Sequence, residues 1–188
     1  MAVSAGADAL GFVFYPNSPR YITPAKAAAI TAQLPPFVER VGLFVNESKE
    51  RIEKVCSQSG MSLAQLHFDV DEAFIDSLDI KALPVVRAKD PQDIHRFDDR
   101  YRLIDAYVPQ YGGAGKRVAL EWFEGVDTSR IVLAGGLDPS NIEEVKKYGF
   151  YGVDVSSGVE AAKGKKDQEK VREFIQKAKF EYIGQACS

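Results

Sequence analysis

Two short segments in the second half of the chain end runs of β-branched residues with small residues. They are residues 131–139 (IVLAGGLDP) and 151–160 (YGVDVSSGVE). In a parallel α/β protein, ligands bind where strands end, and small residues there let backbone N–H groups approach an anion closely. The two segments together predict one phosphate-binding cup. Its candidate residues are Gly135, Gly136, Ser156, Ser157 and Gly158.

An acidic residue closes another apolar run. Asp105 ends the stretch Leu103-Ile104-Asp105-Ala106 and precedes a loop over residues 107–116 that contains Gly112 and Gly113. A carboxylate at the end of a barrel strand occupies a position typical of catalytic groups, and apolar surroundings would raise its pKa. Asp105 is therefore a candidate general acid or base, with a helix-capping or loop-bracing aspartate as the alternative.

Two basic side chains are candidates for binding substrate. Arg20 lies in the stretch YPNSPRYI, residues 15–22, and a guanidinium is the natural bidentate partner of a carboxylate. His67 follows Gln65 at the end of an apolar run, and strand alternation directs both side chains to one side. The alternatives are a surface arginine paired with a neighbouring helix and a hydrogen-bonded structural histidine.

The elements that must position these residues alternate along the chain. Apolar runs predict strands at residues 7–14, 38–45, 63–66, 85–88, 103–106, 131–134 and 152–155. Between and after them, helical patterns occupy residues 24–33, 49–59, 71–78, 90–96, 120–124, 139–147 and 167–178. Thr23, Ser48 and Asp138 are the expected N-caps of three of these helices. Continuous apolar strands alternating with helices predict an α/β fold, a TIM-type (β/α)₈ barrel with seven of its eight strands visible.

The start of the chain reads as the last turn of a helix that runs into Gly6. We therefore expect a first strand and most of a first helix to be absent, which would leave two sheet edges open. Residues 1–180 are expected to form one barrel domain, and residues 181–188 a C-terminal tail.

Composition sets limits on the class of protein. The chain has 188 residues, 45% of them hydrophobic and 27% charged, with a net charge of −3. These values favour an ordinary soluble globular protein of the cytoplasm, without a nucleic-acid or membrane partner. We expect a monomer or a homodimer, a choice that composition does not decide. Cys56 and Cys187 suggest neither a disulfide framework nor a metal site. The basic run at residues 163–166 is expected to be a solvated loop or to attract an anionic substrate from a distance.

Taken together, these segments resemble the phosphoribosylanthranilate isomerase family of tryptophan biosynthesis. The resemblance covers almost the entire chain in the family's order. It rests on residues 5–22 (AGADALGFVFYPNSPRYI), 34–37 (LPPF), 41–46 (VGLFVN), 65–67 (QLH), 111–116 (YGGAGK), 133–139 (LAGGLDP) and 152–160 (GVDVSSGVE).

The resemblance implies an aldose-to-ketose isomerisation, the Amadori rearrangement of a small phosphorylated substrate, phosphoribosylanthranilate, without a metal or redox cofactor. It implies that Asp105 is the general acid and that Arg20 holds the anthranilate carboxylate. It also implies that the backbones around Gly135, Gly136, Ser157 and Gly158 bind the phosphate.

Two positions depart from the family. The family's base is a cysteine in a Lys-Ile-Cys-Gly-like first strand, which has no counterpart here, and Phe68 stands where glycine usually follows Gln-Leu-His. As written, the chain is expected to be a weak or inactive isomerase. Two alternatives stay open: a non-catalytic barrel that binds phosphorylated sugars, and another phosphosugar isomerase of the same fold, such as that of the histidine pathway.

Overall fold

The computed structural model describes residues 1–106 and 117–179. Its strands are β1 (Ala9–Val13), β2 (Glu39–Phe44), β3 (Leu63–Leu66), β4 (Lys81–Ala88), β5 (Arg102–Ala106), β6 (Ile131–Leu133), β7 (Gly152–Val153), β8 (Glu160–Ala162) and β9 (Lys165–Lys166). Its α-helices are α1 (Pro24–Thr31), α2 (Lys49–Ser59), α3 (Glu72–Ser77), α4 (Ile142–Lys146) and α5 (Gln168–Lys179). Short 3₁₀ helices cover Val3–Ala5, Pro91–His95, Leu120–Phe123 and Ser157–Val159.

The main sheet contains the seven predicted strands in chain order, from β1 to β7. Strands β1 to β4 pair in parallel, with Val13 opposite Leu43 and Leu43 opposite Gln65, and β6 pairs in parallel with β7. Parallel neighbours require a crossover between successive strands, and α1 and α2 supply two of them. The predicted parallel α/β organisation is confirmed.

Helix ends follow the local chemistry that the sequence predicts at two places. The Thr23 hydroxyl accepts from Lys26 N–H at 3.3 Å, with Pro24 at the first helical position. Ser48 caps α2 in the same way, and Gly60 ends that helix with a φ of 68°. Both caps satisfy N–H groups that would otherwise lack a partner.

Contacts divide the chain into two compact units. One comprises residues 8–86 and 95–103, and its core is an apolar cluster in which the rings of Phe14 and Phe44 stack at 5.5 Å. Phe68 packs against this cluster, with its ring edge-on to Phe74 at 5.8 Å. Phe68, at the family's usual glycine position, is therefore a packing residue of this cluster.

Of the described residues, the other unit comprises 1–7, 87–94, 104–106 and 117–179. Ile104, Ile131 and Leu133 are fully buried in it, and α4 and α5 contact one another. The backbones of β5, β6 and β7 are joined at their carboxyl ends, where Ala134 N–H donates to Ile104 O and Asp154 N–H donates to Leu133 O, both at 2.8 Å. The ends of these three strands therefore meet at one edge.

The structure corrects several predicted boundaries. Strand β4 begins at Lys81 and not at residue 85, because Pro84 pairs within the parallel ladder opposite Leu66 although it lacks an N–H group. Helix α4 begins after Asn141, so Asp138 is not its N-cap; the Asp138 carboxylate accepts from Ser140 N–H at 2.7 Å in the preceding turn. The segments predicted as helices at 90–96 and 120–124 are 3₁₀ helices.

Some predictions concern residues outside the described part of the chain. The loop at residues 107–116 with Gly112 and Gly113, Cys187, and the tail at residues 181–188 all lie there. The expectation of one domain over residues 1–180 stays a prediction. Across residues 1–106 and 117–179, every helix is too short or too polar to cross a lipid bilayer.

Candidate active site

The loop after β6 has the backbone conformation that glycine favours. Gly135 and Gly136 have φ values of 86° and 63°, in the left-handed region that side chains disfavour. The Asn141 side chain stabilises this loop through two hydrogen bonds. Its amide nitrogen donates to Gly136 O at 2.8 Å, and its amide oxygen accepts from Asp138 N–H at 2.9 Å. Both glycines are therefore needed for the shape of this turn, and Asn141 fixes it.

The loop after β7 touches the first one. A Cβ atom at Gly158 would lie 1.8 Å from the carbonyl oxygen of Leu137 and 3.0 Å from Cβ of Asp138. Ser157 and Gly158 open the 3₁₀ helix Ser157–Val159, which follows Ser156 directly. The two glycine- and serine-rich loops form one continuous backbone surface beside the ends of β6 and β7. That surface has the backbone composition of an anion site, and phosphate binding there stays a prediction.

Asp105 lies at the end of β5, in the same compact unit as both loops. The side chain is half-buried, and burial raises the pKa of its carboxyl to about 6, with a smaller contribution from the negative charge of Asp154. A backbone hydrogen bond from Ala106 and the positive charge of Arg87 act in the opposite direction. A carboxyl group that is poised near neutral pH can hold a proton and transfer it, as general acid catalysis requires.

Asp154 is the second acidic group in this unit. Its residue surface is exposed, yet desolvation raises the pKa of its carboxyl, and the positive charge of Lys166 lowers that pKa by a smaller amount. The negative charge of Asp154 in turn contributes to the raised pKa of Asp105, in addition to any bracing of the Ser156–Ser157 turn.

Gln65 and His67 form a pair in the other compact unit. His67 Nε2 lies 2.6 Å from Gln65 Oε1, and the Gln65 side chain is buried. Because the amide oxygen can only accept, Nε2 is the donor in this contact, which orients the ring. The predicted same-side arrangement of these two residues is confirmed.

Arg20 lies in the same unit on a short, braced loop. Ser18 Oγ accepts from Arg20 N–H at 3.1 Å, and Ile22 N–H donates to Val13 O at 3.0 Å. These bonds close the loop onto the end of β1. The backbone that carries the guanidinium is thus held in place, and the half-buried side chain keeps part of its surface open to solvent.

Cys56 is the free thiol among the described residues. It is buried on α2, where desolvation raises its pKa to about 12. A thiol that remains protonated at neutral pH is a poor base and a poor nucleophile. Cys56 is a core residue.

Sequence reasoning missed Asn141 and Lys166. Asn141 had no signal beyond its proximity to a predicted helix start. The basic run at residues 163–166 pointed to long-range attraction, whereas the structure gives Lys166 a specific partner, the Ser156 carbonyl, at 2.7 Å. The pairing depends on the turn between β8 and β9, which the sequence pattern did not predict as strands.

Known proteins match this chain along nearly its full length. The family model described as N-(5'-phosphoribosyl)anthranilate (PRA) isomerase matches residues 1–177. The N-(5'-phosphoribosyl)anthranilate isomerase of Nitratiruptor sp. is 70% identical over 181 residues, which is 96% of this chain and 92% of that protein. The protein of the same name from Sulfurovum sp. is 67% identical over 95% of this chain and 91% of its own length.

Solved structures agree with these relatives. The phosphoribosyl anthranilate isomerase of Thermotoga maritima superposes with a TM-score of 0.83 at 38% identity, over 95% of this chain and 91% of that chain. A phosphoribosyl anthranilate isomerase in complex with reduced 1-(o-carboxyphenylamino)-1-deoxyribulose 5-phosphate gives a TM-score of 0.82 at 37% identity, with the same coverage of both chains. These neighbours are TIM-type barrels, so the predicted fold class is confirmed. The chain belongs to the N-(5'-phosphoribosyl)anthranilate isomerase family.

Proposed function

We propose that this chain converts N-(5'-phosphoribosyl)anthranilate to 1-(2-carboxyphenylamino)-1-deoxyribulose 5-phosphate in tryptophan biosynthesis. The observation that carries the proposal is Asp105, a half-buried carboxyl with a pKa of about 6, in the same compact unit as two abutting glycine- and serine-rich loops. Family membership over residues 1–177 supports the same reaction.

Asp105 is the general acid of the proposed reaction. Its proton goes to the ring oxygen of the ribose, the C1′–oxygen bond breaks, and the anthranilate nitrogen supplies the electron pair that forms the iminium. A base must then take the C2′ proton to give an enolamine, which tautomerises to the ketose product; none of the candidate residues named above supplies that base. A carboxyl with a pKa of about 6 is matched to the first step because a fraction of it is protonated near neutral pH.

The phosphate of the substrate binds to the two loops in this proposal. The site comprises Gly135, Gly136, Ser156, Ser157 and Gly158; the glycines let backbone groups come close together, and the serines add only short polar side chains. Backbone N–H groups bind a phosphate dianion strongly when they are already oriented, since little entropy is lost on binding.

Arg20 binds the anthranilate carboxylate, and His67 contributes to substrate binding. The closed loop from Val13 to Ile22 supports this role for Arg20 because a pre-positioned guanidinium loses less freedom on forming two parallel hydrogen bonds. The pair with Gln65 supports the role for His67 because it orients the ring.

The reaction also needs a base at C2′, and we exclude Cys56 from that role. Its burial on α2 and its pKa of about 12 leave it protonated and out of contact with solvent. Consistent with the family, the proposal includes no metal or redox cofactor, a cytoplasmic location, and a monomer or homodimer as the active form.

A turnover assay tests the proposal directly. The purified chain is supplied with N-(5'-phosphoribosyl)anthranilate, and loss of its anthranilate fluorescence is followed. Because the chain lacks the family's cysteine base, we expect weak turnover in the wild type, a further loss of about 10²–10⁴-fold in Asp105→Asn, and retained binding of the reduced product analogue. Unchanged turnover in the variant would contradict the acid role.

The same materials separate the two competing functions. Tight binding of the reduced product analogue without wild-type turnover would indicate a binding protein that is not an enzyme. Turnover of the phosphoribosyl substrate of the histidine-pathway isomerase, and none of phosphoribosylanthranilate, would indicate the other isomerase of this fold.

A further inference from the structure

Lys166 contacts the backbone of the second loop. Its Nζ donates to the carbonyl oxygen of Ser156 at 2.7 Å and lies 3.4 Å from Glu160 Oε1. The Glu160 side chain is only 5% exposed, and Lys170 Nζ donates to the Glu160 carbonyl oxygen at 3.2 Å. Glu160 and Lys166 are also opposite one another in the antiparallel pair of β8 and β9. The ammonium group is thus held against the loop by a buried counter-ion.

This contact determines the direction of a neighbouring N–H group. The peptide between Ser156 and Ser157 is trans, so its C=O and N–H groups point in opposite directions. With the Ser156 carbonyl fixed towards Lys166, the Ser157 N–H is directed away from Lys166. A charge-assisted hydrogen bond to the carbonyl also polarises the peptide and makes its N–H a stronger donor.

The other lysines of the run differ from Lys166. All three are exposed residues, but Lys166 has the contacts to the Ser156 carbonyl and to Glu160, and Lys165 is its neighbour in the two-residue strand β9. In the antiparallel pair Lys166 lies opposite the acidic Glu160, whereas Lys165 lies opposite the uncharged Ala162. Lys165 and Lys166 carry the same charge and are adjacent in the chain, which makes Lys165 a matched control.

We propose that Lys166 is a positioning residue for phosphate binding: through the Ser156 carbonyl it orients and polarises the Ser157 N–H that binds the substrate phosphate. The inference rests on the proposed function for the location of the phosphate. It assigns to one lysine of the basic run an effect transmitted through the backbone, without requiring that its ammonium group touch the ligand.

Binding of two analogues tests the inference. The probes are reduced 1-(o-carboxyphenylamino)-1-deoxyribulose 5-phosphate and its dephosphorylated counterpart, titrated calorimetrically into wild type, Lys166→Met, Lys166→Arg and Lys165→Met. We expect Lys166→Met to bind the phosphorylated analogue about tenfold more weakly, with unchanged affinity for the dephosphorylated one. Lys166→Arg should recover most of the loss, and Lys165→Met should match the wild type.

Several results would overturn the inference. Equal weakening of both analogues in Lys166→Met would indicate a general structural role, and no weakening of either would indicate no role. An equal phosphate-specific loss in Lys165→Met would indicate long-range attraction by the whole run. If Lys166→Met does not give a cooperative thermal transition, Lys166→Leu replaces it, since its side chain also lacks a donor for the Ser156 carbonyl and the same criteria apply.

The outcome is distinguishable from failure of the proposed function. Wild-type protein that prefers the phosphorylated analogue but does not turn over phosphoribosylanthranilate would refute the isomerase and leave the role of Lys166 to be decided by the variants. Wild-type protein with equal affinity for both analogues would refute the phosphate site, and the inference with it.

Discussion

The α-carbon of Gly158 lies so close to Leu137 that a Cβ atom at position 158 would meet the Leu137 carbonyl oxygen at 1.8 Å. Backbone atoms cannot yield as the end of a flexible side chain can. The two loops that we propose as the phosphate site can therefore contact one another only because residue 158 has no Cβ atom. Each loop also limits the position of the other.

Gly158→Ala should force the loops apart. We expect a loss of about 1–3 kcal/mol in the free energy of unfolding and at least tenfold weaker binding of the phosphorylated product analogue. Urea denaturation and calorimetric titration measure the two effects. Gly152→Ala is the matched control, because a Cβ there would meet Val132 at an ordinary 3.9 Å. Wild-type affinity in Gly158→Ala would show that the contact does not shape the site.

Asp105→Asn should stabilise the protein at neutral pH. Burial raises the folded-state pKa of Asp105 to about 6, above the value of an exposed aspartate. The folded state therefore binds the proton more tightly than the unfolded state. The resulting destabilisation is fully present above about pH 6 and is lost as pH falls towards the unfolded-state value near 4.

Removing the charge should thus raise the free energy of unfolding by about 1–2 kcal/mol at pH 7.5. This is less than the free energy that corresponds to the whole pKa shift of Asp105, because the half-buried side chain is partly screened by solvent. The gain should shrink at pH 5, as urea denaturation at both pH values would show. Asp98→Asn, at an exposed position, is the control. A gain that does not depend on pH would argue against a perturbed carboxyl at position 105.

Asp154→Asn should lower the pKa of Asp105. The negative charge of Asp154 raises that pKa, so a neutral amide at position 154 removes the contribution while burial persists. A carbon-13 NMR titration of the Asp105 carboxyl should give a midpoint below that of the wild type. The limb of the turnover profile that falls with increasing pH should move to lower pH with it, because the acid must be protonated. A midpoint that stays the same or rises would mean that the two carboxylates are not coupled.

Arg20→Ala should weaken binding only of ligands that carry the aromatic carboxylate. We expect a loss of about 10- to 100-fold for the reduced product analogue and little change for an analogue with a phenyl ring in place of the carboxyphenyl ring. Arg20→Lys should recover only part of the loss because an ammonium group cannot make two parallel hydrogen bonds. Equal losses for both analogues would indicate that Arg20 supports the fold of its loop.

Local signals predicted the parts of the structure that depend on neighbouring residues. Thr23, Ser48 and Gly60 define the ends of α1 and α2 through hydrogen bonds and backbone preferences that act over three or four residues. The prediction failed at α4, where Asp138 looked like a cap: its carboxylate accepts from Ser140 N–H in a turn that precedes the helix, and the helix begins three residues later than predicted. It also failed at Pro84: proline has a low propensity for strands, yet Pro84 lies within the parallel pair of β3 and β4.

The sequence by itself determined the parallel α/β class, the order of the strands, the glycine positions of the two loops and the acidic residue at the end of β5. These follow from periodicity and from side-chain chemistry, both of which are properties of short segments. Only the tertiary structure decided the contact between Gly158 and Leu137, the pKa of Asp105 and the partner of Lys166. Each depends on atoms brought together from distant parts of the chain, since packing distance, desolvation and charge–charge distance have no local signature in sequence.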